Sequence, residues 1–285
     1  MKIVVGVDGS EASEDALRFA FGESMALGAD LVAVTVWEVP VMAAAYVAPA
    51  EVDEAMGPWM DTFVDKVLGP NGASVTKAPA SGSAAAELLR AAEDADAMVM
   101  GTSGRGALSG VIMGSVSHQV ANHAPCPLTV VPAGSNDGDG PGPGPAVVGV
   151  DGSANAGSAL RWAAERAARV GVPLRIVMAW RGEPAGWLPR RDEAGALPTD
   201  EELQSQAREM LAEVVDSVEL PGGLVTELVV GEGAPASVLR DAAEDASMLV
   251  LGARGRGGFM GLLLGSVTSH MLSDVFCPMT VVPAP

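Results

Sequence analysis

Two segments concentrate glycine where main-chain chemistry would be useful. GTSGRGALSGVIMGS (residues 101–115) and GARGRGGFMGLLLGS (residues 252–266) share the form G-x2-G-x9-G-S. Gly101 and Gly252 each follow an apolar run, where a missing Cβ lets backbone come close to a ligand. Gly104 and Gly255 can turn successive N–H groups inward and form a nest for an anion. Gly114-Ser115 and Gly265-Ser266 then open what the spacing predicts to be helices, with Val116 and Val267 next. The first N–H groups of a helix lack intrahelical partners and carry the positive end of its dipole. A phosphate satisfies them, and a serine hydroxyl adds one hydrogen bond. Two backbone anion sites on one loop suit a polyphosphate. Arg105 and Arg256 follow the second glycine in both copies, as phosphate ligands or as exposed loop charges. Arg254 stands only in the second copy, where the first has Ser103.

Asp8 and Asp151, in the repeated VVGVDGS, stand at the end of a predicted strand. A carboxylate there can accept from a sugar hydroxyl or an exocyclic amine, or can serve as a turn and cap residue; both readings can hold. Gly6 and Gly149 lie inside that strand, where glycine is unfavourable unless something approaches its backbone. No lysine precedes the Gly-Ser, so this is not a Walker loop, and no G-x-G-x-x-G follows the first strand. The three histidines, His118, His123 and His270, show no spacing that pairs them with a nucleophile. Cys126 and Cys277 occupy matching positions before a proline and read as small buried residues. No catalytic or metal-ligating residue is assigned.

An internal repeat supplies the elements that must position these residues. VVGVDGS (4–10, 147–153), ALRFA/ALRWA (16–20, 159–163), AEDADAMVMG/AEDASMLVLG (92–101, 243–252) and CPLTVVP/CPMTVVP (126–132, 277–283) recur in the same order. Two homologous domains are expected, 1–132 and 146–285, joined by the Gly/Pro-rich segment 133–145 as a flexible, partly stiffened linker. Within each, short β-branched runs (IVVGV, LVAVTVW, SVTKA, AMVMGT, LTVV) alternate with helical spacing. That pattern predicts an α/β fold, five parallel strands flanked by helices. Ser10 or Ser13 should cap the first helix, Thr199 and Glu202 have capping-box spacing, and Pro58 should kink or split the helix around it. Ligands of such sheets bind beyond the carboxyl ends of the strands, where the glycine segments lie.

Composition narrows the possibilities. The net charge is −19 and acid is spread over both halves. Such a surface repels nucleic-acid phosphates, so no DNA or RNA partner is expected. An anionic ligand would need a local, prearranged site. No apolar run is long enough to cross a membrane, and the short, early-interrupted apolar start does not read as a signal peptide; the expected location is cytoplasmic.

The opening VVGVDGS, the G-x2-G-x9-G-S segment and the closing CP-x-TVVP together resemble the universal stress protein family, over nearly the whole chain and twice. The resemblance is to its tandem, ATP-binding type, because the glycine motif is intact in both halves. It implies two Rossmann-like domains of the adenine nucleotide alpha hydrolase kind. It implies adenine held between Gly6, Val7, Asp8 and Val36 in the first half, and Gly149, Val150, Asp151 and Ala179 in the second, with backbone groups at Val36 and Ala179 reading the base. Gly101, Thr102, Ser103, Gly104, Arg105, Gly106 and Ala107 would wrap ribose and phosphates. Gly252, Ala253, Arg254, Gly255, Arg256, Gly257 and Gly258 would do so in the second half. Ser115-Val116 and Ser266-Val267 would hold the terminal phosphates, with Mg2+. The implied role is a nucleotide-dependent regulator of stress or dormancy. The alternatives are a slow ATPase or nucleotidyl transferase in the same pockets, or a nucleotide-free dimerisation scaffold. The last strands, LTVVP and MTVVP, are suited to edge pairing within or between chains, and a homodimer is expected through them. The loops 38–50 and 181–198 differ in length and charge, so the two pockets are expected to differ. Arginine at both Gly101 and Gly252 is expected to abolish ATP binding with the fold intact.

Overall fold

The computed structural model describes residues 1–37, 49–102, 113–134, 142, 144–180, 199–255 and 263–284. They form two compact units, one holding Met1–Pro141 with Asp274–Pro278 and the other holding Gly142–Ser273 with Met279–Pro285.

In the first unit the elements run β1 (Lys2–Gly6), α1 (Glu11–Leu27), β2 (Asp30–Trp37), α2 (Pro49–Leu68), β3 (Thr76–Ser81), α3 (Ala84–Ala92), β4 (Ala97–Gly101), α4 (Ser115–His123) and β5 (Leu128–Val131). The second repeats them as β6 (Ala146–Gly149), α5 (Ala154–Val170), β7 (Leu174–Trp180), α6 (Asp200–Asp216), β8 (Thr226–Glu232), α7 (Pro235–Ala242), β9 (Met248–Gly252), α8 (Ser266–Ser273) and β10 (Met279–Val282). All strand pairs within a unit are parallel. The strand orders are β3-β2-β1-β4-β5 and β8-β7-β6-β9-β10. The chain therefore winds one way from β1 to β3 and the other way from β4 to β5. The crevice of such a sheet opens at the switch point, beyond the carboxyl ends of β1 and β4, or of β6 and β9.

Local sequence explains most element ends. Ser10 caps α1, its hydroxyl oxygen accepting from the Ser13 N–H, and Ser153 caps α5 in the same way. Gly28 and Gly171 end these helices in the left-handed conformation that a Cβ disfavours. Thr199 and Glu202 form a full capping box at α6. Pro58 does not split α2, which runs as one helix of 20 residues. An interior proline removes a single i→i−4 bond, and the Thr62 hydroxyl donates to the Pro58 carbonyl at 2.8 Å.

The two units secure the corner after α3 or α7 by different routes. In the first, Lys2 from β1 bonds Asp94 at 2.5 Å and reaches the Ala91 carbonyl at 3.5 Å. In the second, Arg175 from β7 donates to the Ala242 carbonyl and the Asp245 carboxylate, each at 2.7 Å, and to Glu227 at 2.7 Å. Either cation satisfies a helix C-terminus whose last carbonyls lack intrahelical donors.

Candidate nucleotide site

The VDGS turn follows the first strand of each unit. The Ser10 N–H and hydroxyl both donate to Asp8 Oδ1, at 3.0 and 2.6 Å, and the Ser153 N–H donates to Asp151 Oδ1 at 3.0 Å. Gly9 (φ 81°) and Gly152 (φ 76°) take the positive φ that this turn requires. The aspartates thus do serve the turn, and they do so at the lip of the switch-point crevice.

Beside them the sheet leaves main-chain groups at its edge. The Val7 N–H donates to Val34 O at 2.8 Å, and the Gly82 N–H donates to Trp37 O at 3.0 Å from the opposite side. Main-chain direction alternates along a strand, so Val36 presents its N–H and C=O toward β1. That strand's chain has by then turned off at Asp8. Val150 to Val177 O (2.9 Å) and Gly233 to Trp180 O (2.9 Å) put Ala179 in the same situation. Gly6, Val7, Asp8 and Val36 are thereby gathered at one edge, as are Gly149, Val150, Asp151 and Ala179.

The strand-end glycines are already approached closely by the chain itself. A Cβ on Gly101 would lie 2.7 Å from the Ala12 carbonyl carbon and oxygen, and one on Gly252 would lie 3.0 Å from the Asn155 carbonyl oxygen. What comes close is the first turn of α1 or α5. Gly6 faces Leu88 of α3, 3.1 Å from where a Cβ would lie, and Gly149 faces Leu251 of β9 at 2.6 Å and Leu239 of α7 at 2.8 Å. All four have a close neighbour within their own unit. Arginine at Gly101 would therefore displace α1, and the double arginine variant cannot leave the fold intact.

The glycine loops are pinched at their bases. The Thr102 N–H donates to Val131 O at 3.0 Å and its carbonyl accepts from the Gly114 N–H at 2.7 Å. In the second unit, Ala253 donates to Val282 O at 2.8 Å and accepts from the Gly265 N–H at 2.7 Å. One further residue locks each loop, the Ser117 hydroxyl to Gly101 O (3.0 Å) and the Thr268 hydroxyl to Gly252 O (2.8 Å). Sequence reasoning missed these two. Their signal is the hydroxyl two residues after each Gly-Ser, in GSVS and GSVT.

Gly114 caps α4 without any side-chain hydrogen bond. Its carbonyl takes the His118 N–H at 2.9 Å, as Gly265 takes that of Ser269 at 2.8 Å. The N–H groups of Ser115, Val116 and Ser117, and of Ser266, Val267 and Thr268, have no intrahelical acceptor. Ser115 and Ser266 are exposed at these helix starts. In the second unit Gly255 lies against Asp151, since a Cβ there would run into the carboxylate. The first strand's acid and the glycine loop therefore share one corner, with Arg254 exposed beside it. Ser103, Gly104, Arg105, Gly106 and Ala107 lie outside the described residues, as do Arg256, Gly257 and Gly258.

Among the described residues no group of three or more His, Cys, Asp or Glu is placed to hold a metal. Both cysteines are buried and neither is part of a disulfide. Burial first, then the charge of Asp96, pushes the Cys126 thiol up to about 11. Among the described residues no helix is long and apolar enough to cross a membrane.

Two parallel α/β units each bring an acidic turn, the pinched base of a glycine loop and a helix start to the switch point of the sheet. The profile of the universal stress protein family matches residues 1–132 and again 144–283, and the chain belongs to that family. A universal stress protein of Mycolicibacterium smegmatis is 30% identical over 98% of this chain and 96% of its own. One of Mycobacterium tuberculosis is 30% identical over the same shares. The crystal structure of a universal stress protein from Archaeoglobus fulgidus shares the fold with a TM-score of 0.70 at 20% identity, covering 99% of this chain and 98% of that one.

Proposed function

We propose that each unit binds ATP at its switch-point crevice and that occupancy adjusts the protein's regulatory contacts under stress. The observation that carries this reading is the coincidence, twice in one chain, of three features at one sheet edge. These are the main-chain edge of Val36 or Ala179, the carboxylate of Asp8 or Asp151, and a helix start whose first N–H groups lack intrahelical acceptors. The edge can pair with the Watson–Crick side of adenine. The carboxylate can accept from a ribose hydroxyl, and the helix start can take phosphate. An otherwise acidic molecule needs such a fixed electropositive point to hold a polyanion. Mg2+ would be carried largely by the phosphates and water, with the Ser115 or Ser266 hydroxyl as the available protein oxygen.

The test is to denature protein purified without added nucleotide and identify what it releases, then titrate the refolded, emptied chain with MgATP. The reading expects adenine nucleotide in the supernatant and saturable ATP binding. A released ligand of another class, or no binding by the emptied chain, would overturn it.

A further inference from the structure

The two units carry the same sheet, so equivalent edge strands can be compared residue by residue. β3 and β8 are the outer strands after β2 and β7. Thr35 pairs with Pro79 and Met178 with Val230, so Pro79 and Val230 are equivalent, as are Lys77 and Leu228. Hydrogen bonds fix which residues face outward. The Gly82 N–H turns toward β2, and Val225 O and the Gly233 N–H turn toward β7. By alternation, Lys77, Pro79 and Ser81 direct their main-chain groups away from the sheet, and so do Thr226, Leu228, Val230 and Glu232.

The first edge is closed. Pro79 offers no N–H at its outward position, and Lys77, bonded to Asp61 at 2.6 Å, puts a charge beside it. Proline and lysine are the usual means of blocking strand addition. The second edge has neither. Leucine and valine stand at those positions, Leu228 is 51% exposed and Val225 is 68% exposed. Its mid-strand charge, Glu227, is already engaged by Arg175 Nε at 2.7 Å.

We infer that β8 is an interaction edge and that its occupant is β8 of a second copy of this chain, added antiparallel. Two copies paired about Val229 set Leu228 opposite Val230, and Thr226 opposite Glu232, as hydrogen-bonded pairs. Glu227 falls opposite Gly231. No carboxylate meets a carboxylate, and the two Leu228–Val230 pairs form one apolar patch on a single face. The surface is self-complementary, as a two-fold interface must be. With a net charge of −19 on each copy, association strengthens as salt screens the repulsion. The groups that would pair lie on the side of β8 turned away from β7, and the pairing does not depend on nucleotide binding.

The experiment moves the first unit's edge onto the second. Sedimentation of the full chain over a range of concentrations is expected to show a monomer–dimer equilibrium, tighter at high salt. In Leu228→Lys/Val230→Pro the dimer is lost, with circular dichroism unchanged. Leu228→Lys alone, which leaves the backbone untouched, weakens association at least tenfold. Hydrogen exchange at Thr226, Leu228 and Val230 slows as concentration rises. A chain that stays monomeric at all concentrations overturns the inference. So does a dimer indifferent to Leu228→Lys, or one whose protection falls on Leu128–Val131 or Met279–Val282.

Discussion

Replacing Ser115 and Ser266 by aspartate should raise stability and weaken binding in one variant. Each serine is exposed at the first position of a helix, and α4 starts at a glycine that lends no side-chain cap. A carboxylate there faces the positive end of the dipole, which stabilises a helix by about 0.3–1 kcal/mol. The same carboxylate lies where the proposed phosphate sits. At roughly 5 Å, with an effective dielectric constant of about 20–40 for a surface pair, repulsion amounts to about 2–3 kcal/mol. That corresponds to a loss of roughly 30- to 150-fold in affinity at each site. Calorimetric titration with MgATP measures the affinity, and urea denaturation without nucleotide measures the stability. Each single variant should lose one of two sites. The corresponding Ser→Asn variants, polar and uncharged, should retain most of the binding. A Ser115→Asp/Ser266→Asp double variant that is folded and binds ATP as tightly as the parent would refute the assignment of phosphate to these helix starts.

Further outcomes follow from the packing and the charges. Gly101→Ala should cost about 1–3 kcal/mol of stability, because its methyl meets the Ala12 main chain; an unchanged urea midpoint would remove that explanation of the glycine. Arg175→Ala should cost about 1–2 kcal/mol, mostly through the Ala242 carbonyl it leaves without a donor. The exposed carboxylates around it contribute little, so Asp245→Asn should be far milder in the same denaturation assay. Lys2 holds the Asp94 carboxyl below its ordinary value, and Arg175 does the same for Asp245. A depressed folded value lends stability that is complete above the unfolded one and is lost as pH falls through the folded one. Lys2→Ala should therefore flatten the pH dependence of unfolding below about pH 4 and leave its shape near neutrality unchanged. Cys126, with its thiol pushed up to about 11, should resist alkylation in the native chain at neutral pH and react on unfolding, as peptide mapping would show.

The alternation of strands and helices is legible in the sequence because both periodicities are strong and each appears twice. The capping box at Thr199 and the Ser10 cap follow from local residue chemistry that operates without tertiary context. Pro58 does not split its helix, because a helix interrupted by one missing bond can still be held by its neighbours. The glycines show the deeper limit. Residue type announces that Gly6, Gly101, Gly149 and Gly252 must be approached closely, but sequence cannot say by what. Within the chain the close neighbours are Leu88, Ala12, Leu251 with Leu239, and Asn155, each on another element. Ser117 and Thr268 escape sequence reasoning because a serine or threonine inside a helix looks ordinary until the strand-end carbonyl it satisfies is known. The contrast between Pro79 and Val230 is present in the letters, and only the register shows that the two positions are equivalent.

The most direct test of the account follows the amides themselves. Backbone amide resonances and hydrogen exchange at Ser115, Val116, Ser266 and Val267 should be recorded before and after saturation with MgATP. Large shifts and slowed exchange are expected at both helix starts, with α1 and α5 unaffected beyond their VDGS turns. Tight ATP binding that leaves those four amides unmoved would contradict it.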